Sequence, residues 1–361
     1  MIDKIKNVKI YEVNVPLTET FKIATGSRKN YAGIMIEIET ESGISGFGEA
    51  VPVPYVLNET VPQVEEFLKE FSKYLLGRNP LMRGEILRKL RKINAPHSGS
   101  TAVNTALWDI EGKTAGMPLY QLLGEDGKKI GISGTISIGT EKETAKSAER
   151  LLKAGFKALK MKVGLNLKED IKRVELVRSL SKKAKIYLDA NQGYSAEEAV
   201  KFANSVAKFG ISFIEQPVNA GDIISLKKVK ENSPVPIMAD ESVKSANDAL
   251  TLLRADATDY VNVKLTKAGS IEEGLKIANL VHLFGKKVMI GCMVASPLLI
   301  AASFSLFKAG RFDFADLDGF LTFSESPVEG GAYIENGYLK ISSGSGLSVK
   351  KIKEKYARRI Q

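Results

Sequence analysis

The sequence has few residues of the types that build disulfides or soft-metal sites: one cysteine, Cys292, and two histidines, His97 and His282, among 361 residues. A single cysteine excludes an intrachain disulfide framework and a cysteine-ligated metal cluster. Two histidines exclude a histidine-rich metal site. The first six residues lack the apolar core of a secretory signal, and no apolar run reaches the ~18–20 residues needed to span a bilayer. We therefore expect a cytoplasmic protein without a membrane partner.

Basic residues outnumber acidic ones, with 52 Lys plus Arg against 42 Asp plus Glu and a formal net charge of +10. The lysines are spread along the chain, and the only dense basic run is 350–359, near the C-terminus. Neither zinc-finger spacing nor an aromatic RNA-binding motif accompanies that run. We interpret it as a solvated terminal helix or tail and expect no nucleic-acid partner.

The first third of the chain has the pattern of an antiparallel sheet followed by helices. The predicted strands and helices are, in order, 8–15, 33–39, the end of the glycine-rich stretch 43–50, helices within 61–93, and 100–116. A polar loop over 24–30 separates the first two strands, and the glycines of 43–50 are interpreted as turn residues. We expect an α+β domain over residues 1–125.

From residue 126 onwards the pattern changes to strands that alternate with helices. The eight β-rich runs are 132–138, 158–163, 185–189, 212–215, 236–240, 259–265, 287–292 and 312–317. Capping boxes open two of the helices, Thr140 with Glu143 and Ser195 with Glu198. Eight strands in alternation with helices predict an α/β fold with a parallel sheet.

A (β/α)8-type barrel over residues 126–321 is the architecture that this alternation favours. The α+β domain would cap it, and residues 322–361 would pack back on the cap. A doubly wound sheet gives the same alternation, but no strand is followed by the G-x-G-x-x-G motif of dinucleotide-binding folds.

Charged residues end five consecutive predicted barrel strands. The ends read Lys160-Met161-Lys162, Asp189-Ala190-Asn191, Glu215-Gln216-Pro217, Asp240-Glu241-Ser242 and Asn262-Val263-Lys264. Successive charges lie 24–27 residues apart, which is one strand and one helix each time. The carboxyl ends of parallel barrel strands meet at one mouth, where active sites lie in such folds. We therefore expect these side chains to converge.

Three of the converging residues, Asp189, Glu215 and Asp240, are acids. Crowded carboxylates repel one another unless a cation lies among them. Ligation by oxygen alone suits a hard divalent ion, Mg²⁺ above all. The alternative is that each acid caps the helix that follows its strand.

Lysines flank these acids in barrel order, Lys160 and Lys162 on one side and Lys264 on the other. Lys160 and Lys162 are two residues apart on a strand, so their side chains point to the same face. A neighbouring ammonium and a divalent cation disfavour the charged form of a lysine and lower its pKa. A lysine tuned in this way can act as a general base near neutral pH. The alternative role for a buried lysine is that of an ion-pair partner.

The five strand-end motifs, behind Gly46-Phe47-Gly48-Glu49-Ala50 near the N-terminus, resemble those of the enolase superfamily. The resemblance is to its muconate-lactonizing subgroup, in which both acid/base groups are lysines, and it covers nearly the whole chain. It implies an isomerase with Mg²⁺, for which Mn²⁺ can substitute, on the three acids of the cluster.

The same resemblance implies roles for the lysines. Lys162 and Lys264 would be the catalytic acid/base pair, and Lys160 would help hold the substrate carboxylate and depress the pKa of Lys162. Removal of a proton α to a carboxylate leaves a dianionic enediolate, whose charge the metal and Lys160 would stabilise. One lysine removes the proton from one face, and the other returns a proton to the opposite face.

Several reactions use this catalytic set. The mandelate-racemase branch, which needs a histidine on the seventh strand, is excluded because 287–293 contains none. Epimerisation by 1,1-proton transfer, cycloisomerisation and β-elimination of the o-succinylbenzoate type stay open at this point. A barrel that binds a metal or ligand without turnover would be favoured if one lysine were missing, and neither is.

The eighth strand favours one of these reactions. It ends Asp316-Leu317-Asp318, which resembles the Asp-x-Asp of dipeptide epimerases that binds the substrate's α-ammonium group. A muconate or a succinylbenzoate has no cation to compensate such a pair. Solvent-facing acids at a strand end are the alternative. Thr135, on the first strand, matches a position that contacts substrate in these epimerases.

Two departures from the relatives bear on the substrate side chain. L-Ala-D/L-Glu epimerases place an arginine in the first cap loop where this chain has Gly26, beside Thr25. Two residues after Met293, where the relatives usually have a Glu, this chain has Ala295, which is followed by Ser296. We expect the substrate to contact Thr25, Gly26, Met293 and Ser296.

The second cap loop, 52–58, is apolar, and a mainly apolar pocket favours apolar substrates. The sequence therefore predicts an epimerase for L-Ala-L-Xaa dipeptides with a hydrophobic Xaa. In the alternative, Arg28 or Lys22 turns inward and selects an acidic side chain, as in an L-Ala-D/L-Glu epimerase. We also expect a homo-oligomer.

Overall fold

The computed structural model describes residues 3–125 and 127–361. The predicted start of the barrel at Asp126, and residues 1 and 2 of the predicted capping domain, lie outside the described residues. The division of the chain into domains at this boundary stays a prediction.

The N-terminal part is an antiparallel sheet covered by helices. Its elements are β1 (Ile5–Ile23), β2 (Gly26–Thr40), β3 (Ser45–Ala50), α1 (Pro54–Leu57), α2 (Val61–Leu75), α3 (Arg83–Lys92), α4 (His97–Thr114) and α5 (Leu119–Leu122). The short β4 (Ile130–Gly131) that follows pairs instead with a strand near the C-terminus. A capping box of Thr60 and Gln63 starts α2. Gly77, at φ 74°, and Pro80 separate α2 from α3, so the predicted helical stretch 61–93 is two helices.

The first hairpin is much longer than the sequence pattern predicts. β1 and β2 pair in antiparallel fashion from Ile5 with Thr40 to Ile23 with Gly26, with register shifts along the way. Only Ala24 and Thr25 form the turn, so the predicted loop over 24–30 is wrong. Cross-strand pairing extends the strands through a polar sequence that has little alternation of its own.

Gly43, at φ 87°, lies in the turn between β2 and β3 as predicted, whereas Gly46 and Gly48 are strand residues and not turn residues. Gly46 and Gly48 lie in the middle of β3, which packs directly against α4. A Cβ at residue 48 would overlap the carbonyl oxygen of Ala102, and a Cβ at residue 46 would overlap that of Ala106. The two glycines therefore allow a close approach of strand and helix.

The eight strands of the barrel come next in the chain. Its strands are β5 (Ser133–Ile136), β6 (Ala158–Lys162), β7 (Lys185–Asp189), β8 (Phe213–Glu215), β9 (Ile237–Ala239), β10 (Tyr260–Lys264), β11 (Lys287–Gly291) and β12 (Phe314–Asp316). They pair in chain order as one parallel eight-stranded sheet, which confirms the predicted fold class.

Helices connect successive barrel strands. They are α6 (Glu141–Lys153), α7 (Leu167–Leu180), α8 (Ala196–Val206), α9 (Ile223–Asn232), α10 (Ala246–Arg254), α11 (Leu265–Ala268), α12 (Ile271–Leu283) and α13 (Pro297–Ala309). Both predicted capping boxes are present, at the starts of α6 and α8. None of the described helices is both long enough and apolar enough to cross a membrane.

An aromatic layer fills the barrel interior below the strand ends. Tyr187 stacks on Phe213 with a centroid distance of 4.4 Å, and Phe314 packs edge-on against both rings. Met238 and Met289 complete this buried cluster. This layer separates the charged residues at the strand ends from the opposite end of the barrel.

The C-terminal residues form strands, so the predicted solvated helix or tail over 350–359 is wrong. The strands are β13 (Val328–Gly330), β14 (Ala332–Glu335), β15 (Tyr338–Ile341), β16 (Val349–Ile352) and β17 (Ala357–Arg359). β17 pairs with β1 as an edge of the cap sheet, and Arg358 forms an ion pair with Glu12 there. Glu325 accepts hydrogen bonds from Lys355 at 2.7 Å and Lys353 at 3.2 Å. The basic run is thus partly compensated.

Candidate active site

The strand ends bring Asp189, Glu215 and Asp240 together. Each offers a carboxylate oxygen, and these oxygens all lie within 4.8 Å of one another in a buried position. Asp189 and Glu215 are register partners on adjacent strands, so the parallel pairing itself sets their separation. The convergence that the strand spacing predicted is therefore present.

The cluster has the donor set of a hard divalent cation. Oε2 of Glu215 lies 2.8 Å from Nζ of Lys160, and Oδ1 of Asp240 lies 2.6 Å from Nζ of Lys267, so lysine ammonium groups partly balance the charge of the cluster. The three buried carboxylates still lie close enough to repel one another, and oxygen ligands in this arrangement fit a hard divalent cation.

Lys160 is buried beneath the cluster. Its Nζ lies 2.7 Å from Asp316, 2.8 Å from Glu215 and 2.9 Å from Asp189, and the residue is 1% exposed. With its ammonium surrounded by carboxylates, Lys160 is an ion-pair partner in this arrangement and does not line the cleft above. The implied contact of Lys160 with the substrate carboxylate stays a prediction.

Lys162 and Lys264 face the cleft from opposite sides of the cluster. Nζ of Lys162 donates to Oδ2 of Asp189 at 2.6 Å, and Nζ of Lys264 donates to Oδ2 of Asp240 at 2.7 Å. Both side chains line the cleft, together with residues of the cap. A substrate carbon held above the cluster would therefore have one amine on each side.

The acids around Lys264 and Lys160 raise the pKa of both lysines. Burial disfavours the ammonium form of Lys264, but Asp240 and other acids outweigh this effect and raise its pKa. The pKa of Lys160 is likewise raised, since Asp189, Asp316 and Glu215 outweigh burial. Most of these acids are the candidate metal ligands Asp189, Glu215 and Asp240, so the lysine pKa lowering expected from the sequence would require a cation that neutralises their charge.

Asp316 and Asp318 link the two ends of the barrel sheet. Asp316 accepts hydrogen bonds from the Ser133 hydroxyl at 2.8 Å and from Lys160 at 2.7 Å. Because Lys160 compensates Asp316, the argument that the pair needs a substrate cation applies to Asp318 alone. Burial, and next the charge of Asp316, raise the pKa of Asp318 to about 7.

The cap covers the cleft with residues from both predicted loops. Phe21, Ile23 and Arg28 line it from the first hairpin, and Val53, Tyr55 and Val56 line it from the second loop. Thr25 and Gly26 do not line it: they lie exposed at the hairpin turn, because the strands extend further than predicted. Their predicted contact with substrate is therefore not supported.

The segment after β11 is divided between the cleft and the cap interface. Met293 lines the cleft, as expected. Ser296 is fully buried as the N-cap of α13, and its hydroxyl and backbone N–H both donate to Glu49 of the cap. Tyr31 donates to the same carboxylate at 2.7 Å. Ser296 therefore joins barrel and cap, and the prediction that it contacts substrate is not supported.

Sequence reasoning gave no role to two buried cleft residues, Glu241 and Asn191. Nδ2 of Asn191 donates to Oε1 of Glu241 at 3.1 Å, and both side chains line the cleft. Burial, and next the charge of Asp240, raise the pKa of Glu241 to about 7. The sequence did indicate their position, because Asn191 and Glu241 stand two residues and one residue after a candidate ligand, in the Asp-x-Asn and Asp-Glu-Ser motifs.

Family models match both parts of the chain. The mandelate racemase / muconate lactonizing enzyme N-terminal domain matches residues 5–124, and the enolase C-terminal domain-like model matches residues 143–355. The hydrophobic dipeptide epimerase of Enterococcus faecalis is 35% identical over 351 residues, which is 96% of this chain and 99% of that protein. The L-Ala-D/L-Glu epimerase of Clostridium acetobutylicum is 35% identical over 354 residues, 96% of this chain and 99% of that protein.

Solved structures give the same grouping. A dipeptide epimerase of Enterococcus faecalis in complex with Mg and L-Leu-L-Tyr superposes with a TM-score of 0.93, at 35% identity, over 96% of this chain and 100% of that one. With its parallel barrel, its cap and its acid and lysine cluster, the chain belongs to the mandelate racemase / muconate lactonizing enzyme family of the enolase superfamily.

Proposed function

We propose that this protein is a dipeptide epimerase that inverts the α-carbon of the C-terminal residue of its substrate. The observation that carries the proposal is the placement of Lys162 and Lys264 on opposite sides of one carboxylate cluster, with Asp318 at the rim of the same cleft. The proposal is supported by relatives named as dipeptide epimerases, which this chain matches over almost their whole length.

The two lysines would perform the proton transfer. A lysine Nζ in its neutral form removes the α-proton from one face of the substrate, and the other lysine, as an ammonium, returns a proton to the opposite face. Mg²⁺ bound by Asp189, Glu215 and Asp240 would supply positive charge where negative charge develops on the substrate carboxylate.

Asp318 would hold the other end of the dipeptide. Its carboxylate lies above Asp316 at the end of β12, on the side of the cleft formed by the first and last barrel strands. An α-ammonium group there would satisfy a buried acid that Lys160 does not contact directly. With the ammonium group bound there, the α-carbon of the second residue would point towards the lysines.

The side chains around the rest of the cleft support a hydrophobic second residue. Phe21, Ile23, Val53 and Val56 form an apolar surface under the cap, to which Met293, Val294 and Leu321 add further apolar groups from the barrel. Burial of an apolar side chain against such a surface contributes ~25 cal/mol per Å². We therefore propose L-Ala-L-Xaa dipeptides with a hydrophobic Xaa as preferred substrates.

An acidic second residue is the second candidate, and Arg28 favours it. The guanidinium of Arg28 lines the cleft and donates to the Tyr55 hydroxyl at 2.9 Å. Among the described residues it has no carboxylate partner, whereas Arg150 in the same cleft is paired with Glu19 at 2.8 Å. An Arg28 free to bind a substrate carboxylate would give an L-Ala-D/L-Glu epimerase.

A dipeptide library in D₂O tests both the reaction and the substrate class. Epimerisation replaces the α-proton by deuterium, so mass spectrometry identifies turned-over substrates without a prior choice of side chain. We expect a mass gain of one in L-Ala-L-Phe and L-Ala-L-Leu, with smaller kcat/KM for L-Ala-L-Glu. Absence of deuterium incorporation in every dipeptide would overturn the proposed reaction, and a tenfold preference for L-Ala-L-Glu, ~1.4 kcal/mol, would establish the second candidate.

We further propose that the protein is a cytoplasmic homo-oligomer, as expected from the sequence. Light scattering coupled to size exclusion tests the oligomeric state: a mass of 39.3 kDa would be that of a monomer and would contradict the proposal.

A further inference from the structure

A buried ion pair lies on the helix that directly follows the strand of Lys162. Arg173, in α7, is 2% exposed, and its Nη2 donates to Oδ1 of Asp170 at 2.7 Å. The same nitrogen donates to the backbone carbonyl of Lys162 at 2.6 Å. The pair therefore acts on the main chain of the proposed base.

The second oxygen of Asp170 holds the next residues of the chain. Its Oδ2 accepts hydrogen bonds from the backbone N–H of Gly164 at 2.9 Å and of Asn166 at 3.3 Å. The Tyr194 hydroxyl, from the loop after β7, donates to the same oxygen at 2.7 Å. Gly164 adopts φ 105°, and a Cβ there would overlap the carbonyl oxygen of Ala190. The exit of the Lys162 strand is thus fixed against the loop that follows Asp189.

This arrangement is a costly way to obtain stability alone. Removing two charges from water costs several kcal/mol, and a well-packed apolar pair in the same place is often as stable or more so. What an apolar pair cannot supply is a donor to the Lys162 carbonyl and an acceptor for the Gly164 N–H. Lysine has a long, flexible side chain, so the position of its Nζ depends on how firmly its backbone is held.

We propose that Arg173, oriented by Asp170, is a positioning residue that fixes Lys162 against one face of the substrate. The proposal rests on the proposed function, in which Lys162 and Lys264 serve opposite faces. Lys264 lies on β10, where its Nζ donates to Asp240 at 2.7 Å, and none of the hydrogen bonds of Asp170 or Arg173 described above reaches that strand. Loss of the pair should therefore affect the two faces unequally.

Exchange of the α-proton without inversion measures each face separately. The equilibrium constant ties the forward and reverse epimerisation rates together, but exchange of one epimer with D₂O needs only the lysine on its own face. Lys264→Ala and Lys162→Ala identify which epimer each lysine serves, because each variant retains exchange of one epimer. Full epimerisation by either variant would contradict the proposed function itself, and this inference with it.

The test variant is Asp170→Asn with Arg173→Met, which removes both charges and leaves no unpaired buried ion. We expect exchange of the Lys162-dependent epimer to fall roughly tenfold or more, whereas exchange of the Lys264-dependent epimer stays near the wild-type rate. An equal fall for both epimers, or no fall for either, would overturn the proposal. Thermal unfolding establishes that the variant folds; if it does not, Tyr194→Phe, which removes one donor to Asp170, is measured for the same asymmetry.

Arg178 provides a matched control on the same helix. It also donates to several backbone carbonyls, among them Phe209 at 2.7 Å and Ala184 at 2.9 Å, but at the opposite end of the barrel. Arg178→Met should lower thermal stability without changing the ratio of the two exchange rates. A changed ratio in this control would show that loss of any α7 arginine perturbs the site, and would overturn the specific role of Arg173.

Discussion

Asp318 at the end of the last barrel strand holds Thr135 of the first. Its Oδ2 accepts the backbone N–H of Thr135 at 2.6 Å, and its Oδ1 accepts the hydroxyl at 3.1 Å. Thr135 lines the cleft, and its hydrogen bonds to Asp318 join the first barrel strand to the end of the last one. This contact orients the carboxylate that we propose to bind the substrate's α-ammonium group.

The pH dependence of substrate binding follows from Asp318. Its pKa is raised to about 7 by burial and by Asp316, so the carboxyl group becomes neutral as the pH falls through that value. A neutral acid attracts an ammonium group less, so we expect KM to rise as the pH falls from about 8 to about 6. Steady-state kinetics across this range is the measurement. Asp318→Asn should have a higher KM than the wild type at pH 8 and a smaller difference from it at pH 6, and an equal KM ratio at both pH values would contradict the assignment.

Each of the two proposed catalytic lysines should be indispensable for epimerisation. Lys162→Ala and Lys264→Ala each remove one of the two amines that flank the carboxylate cluster, and proton transfer between faces then lacks a donor or an acceptor. We expect epimerisation to fall by at least ~10² in kcat, while one epimer in each variant still exchanges its α-proton. Chiral chromatography and NMR in D₂O measure the two rates.

Metal binding should depend on Glu215. Removal of divalent ions by EDTA should abolish activity, and Mg²⁺ or Mn²⁺ should restore it. Glu215→Gln should weaken Mn²⁺ binding in calorimetry, because an amide replaces a charged ligand. Asp259→Asn is the control: Asp259 accepts the backbone N–H of Ile237 at 2.8 Å at the far end of the barrel, so its loss should leave Mn²⁺ affinity unchanged. Activity that survives EDTA treatment would show that the acids serve another purpose.

Arg28 should influence only acidic substrates. In Arg28→Met the cleft loses a cation with no carboxylate partner among the described residues, so kcat/KM for L-Ala-L-Glu should fall while that for L-Ala-L-Phe holds or rises. Arg150→Met is the matched control, since Arg150 lines the same cleft but is paired with Glu19. Equal losses for both dipeptides in Arg28→Met would indicate a structural role through Tyr55.

The close packing of β3 on α4 should make Gly48 essential for stability. Gly48→Ala places a methyl group against the carbonyl of Ala102, and such overpacking costs ~1–3 kcal/mol. Urea unfolding should show this loss of unfolding free energy. Gly221→Ala is the control, because a Cβ at residue 221 meets only Asn219 Oδ1, at 3.4 Å. A Gly48 variant as stable as this control would mean that strand and helix separate without cost.

The sequence determined the barrel and the charged cluster within it. The alternation of apolar strands with capped helices is a local property of the sequence. The regular spacing between strands shows which charged residue stands at the end of each strand. Since parallel strands in a barrel pair in chain order and all end at one mouth, Asp189, Glu215 and Asp240 had to converge with the flanking lysines. No long-range information was needed.

Contacts between distant segments were decided by tertiary structure alone. The hairpin register places Arg28 opposite Phe21 and extends both strands, which puts Arg28 in the cleft and leaves Gly26 at an exposed turn. Ser296 turns to Glu49, which is 247 residues away in the chain and belongs to the cap. Lys160 compensates Asp316, which follows it by 156 residues.

These outcomes share a physical cause. A buried polar group must find a partner, but the sequence shows only that the group is polar, and not which of many distant partners it will meet. The spacing of neighbouring strands and helices determines which residues stand at the strand ends, so that property can be predicted from the sequence. The choice of partner for Ser296, Asp316 and Arg28 depends on how the cap and the barrel pack together, and only the folded chain specifies that packing.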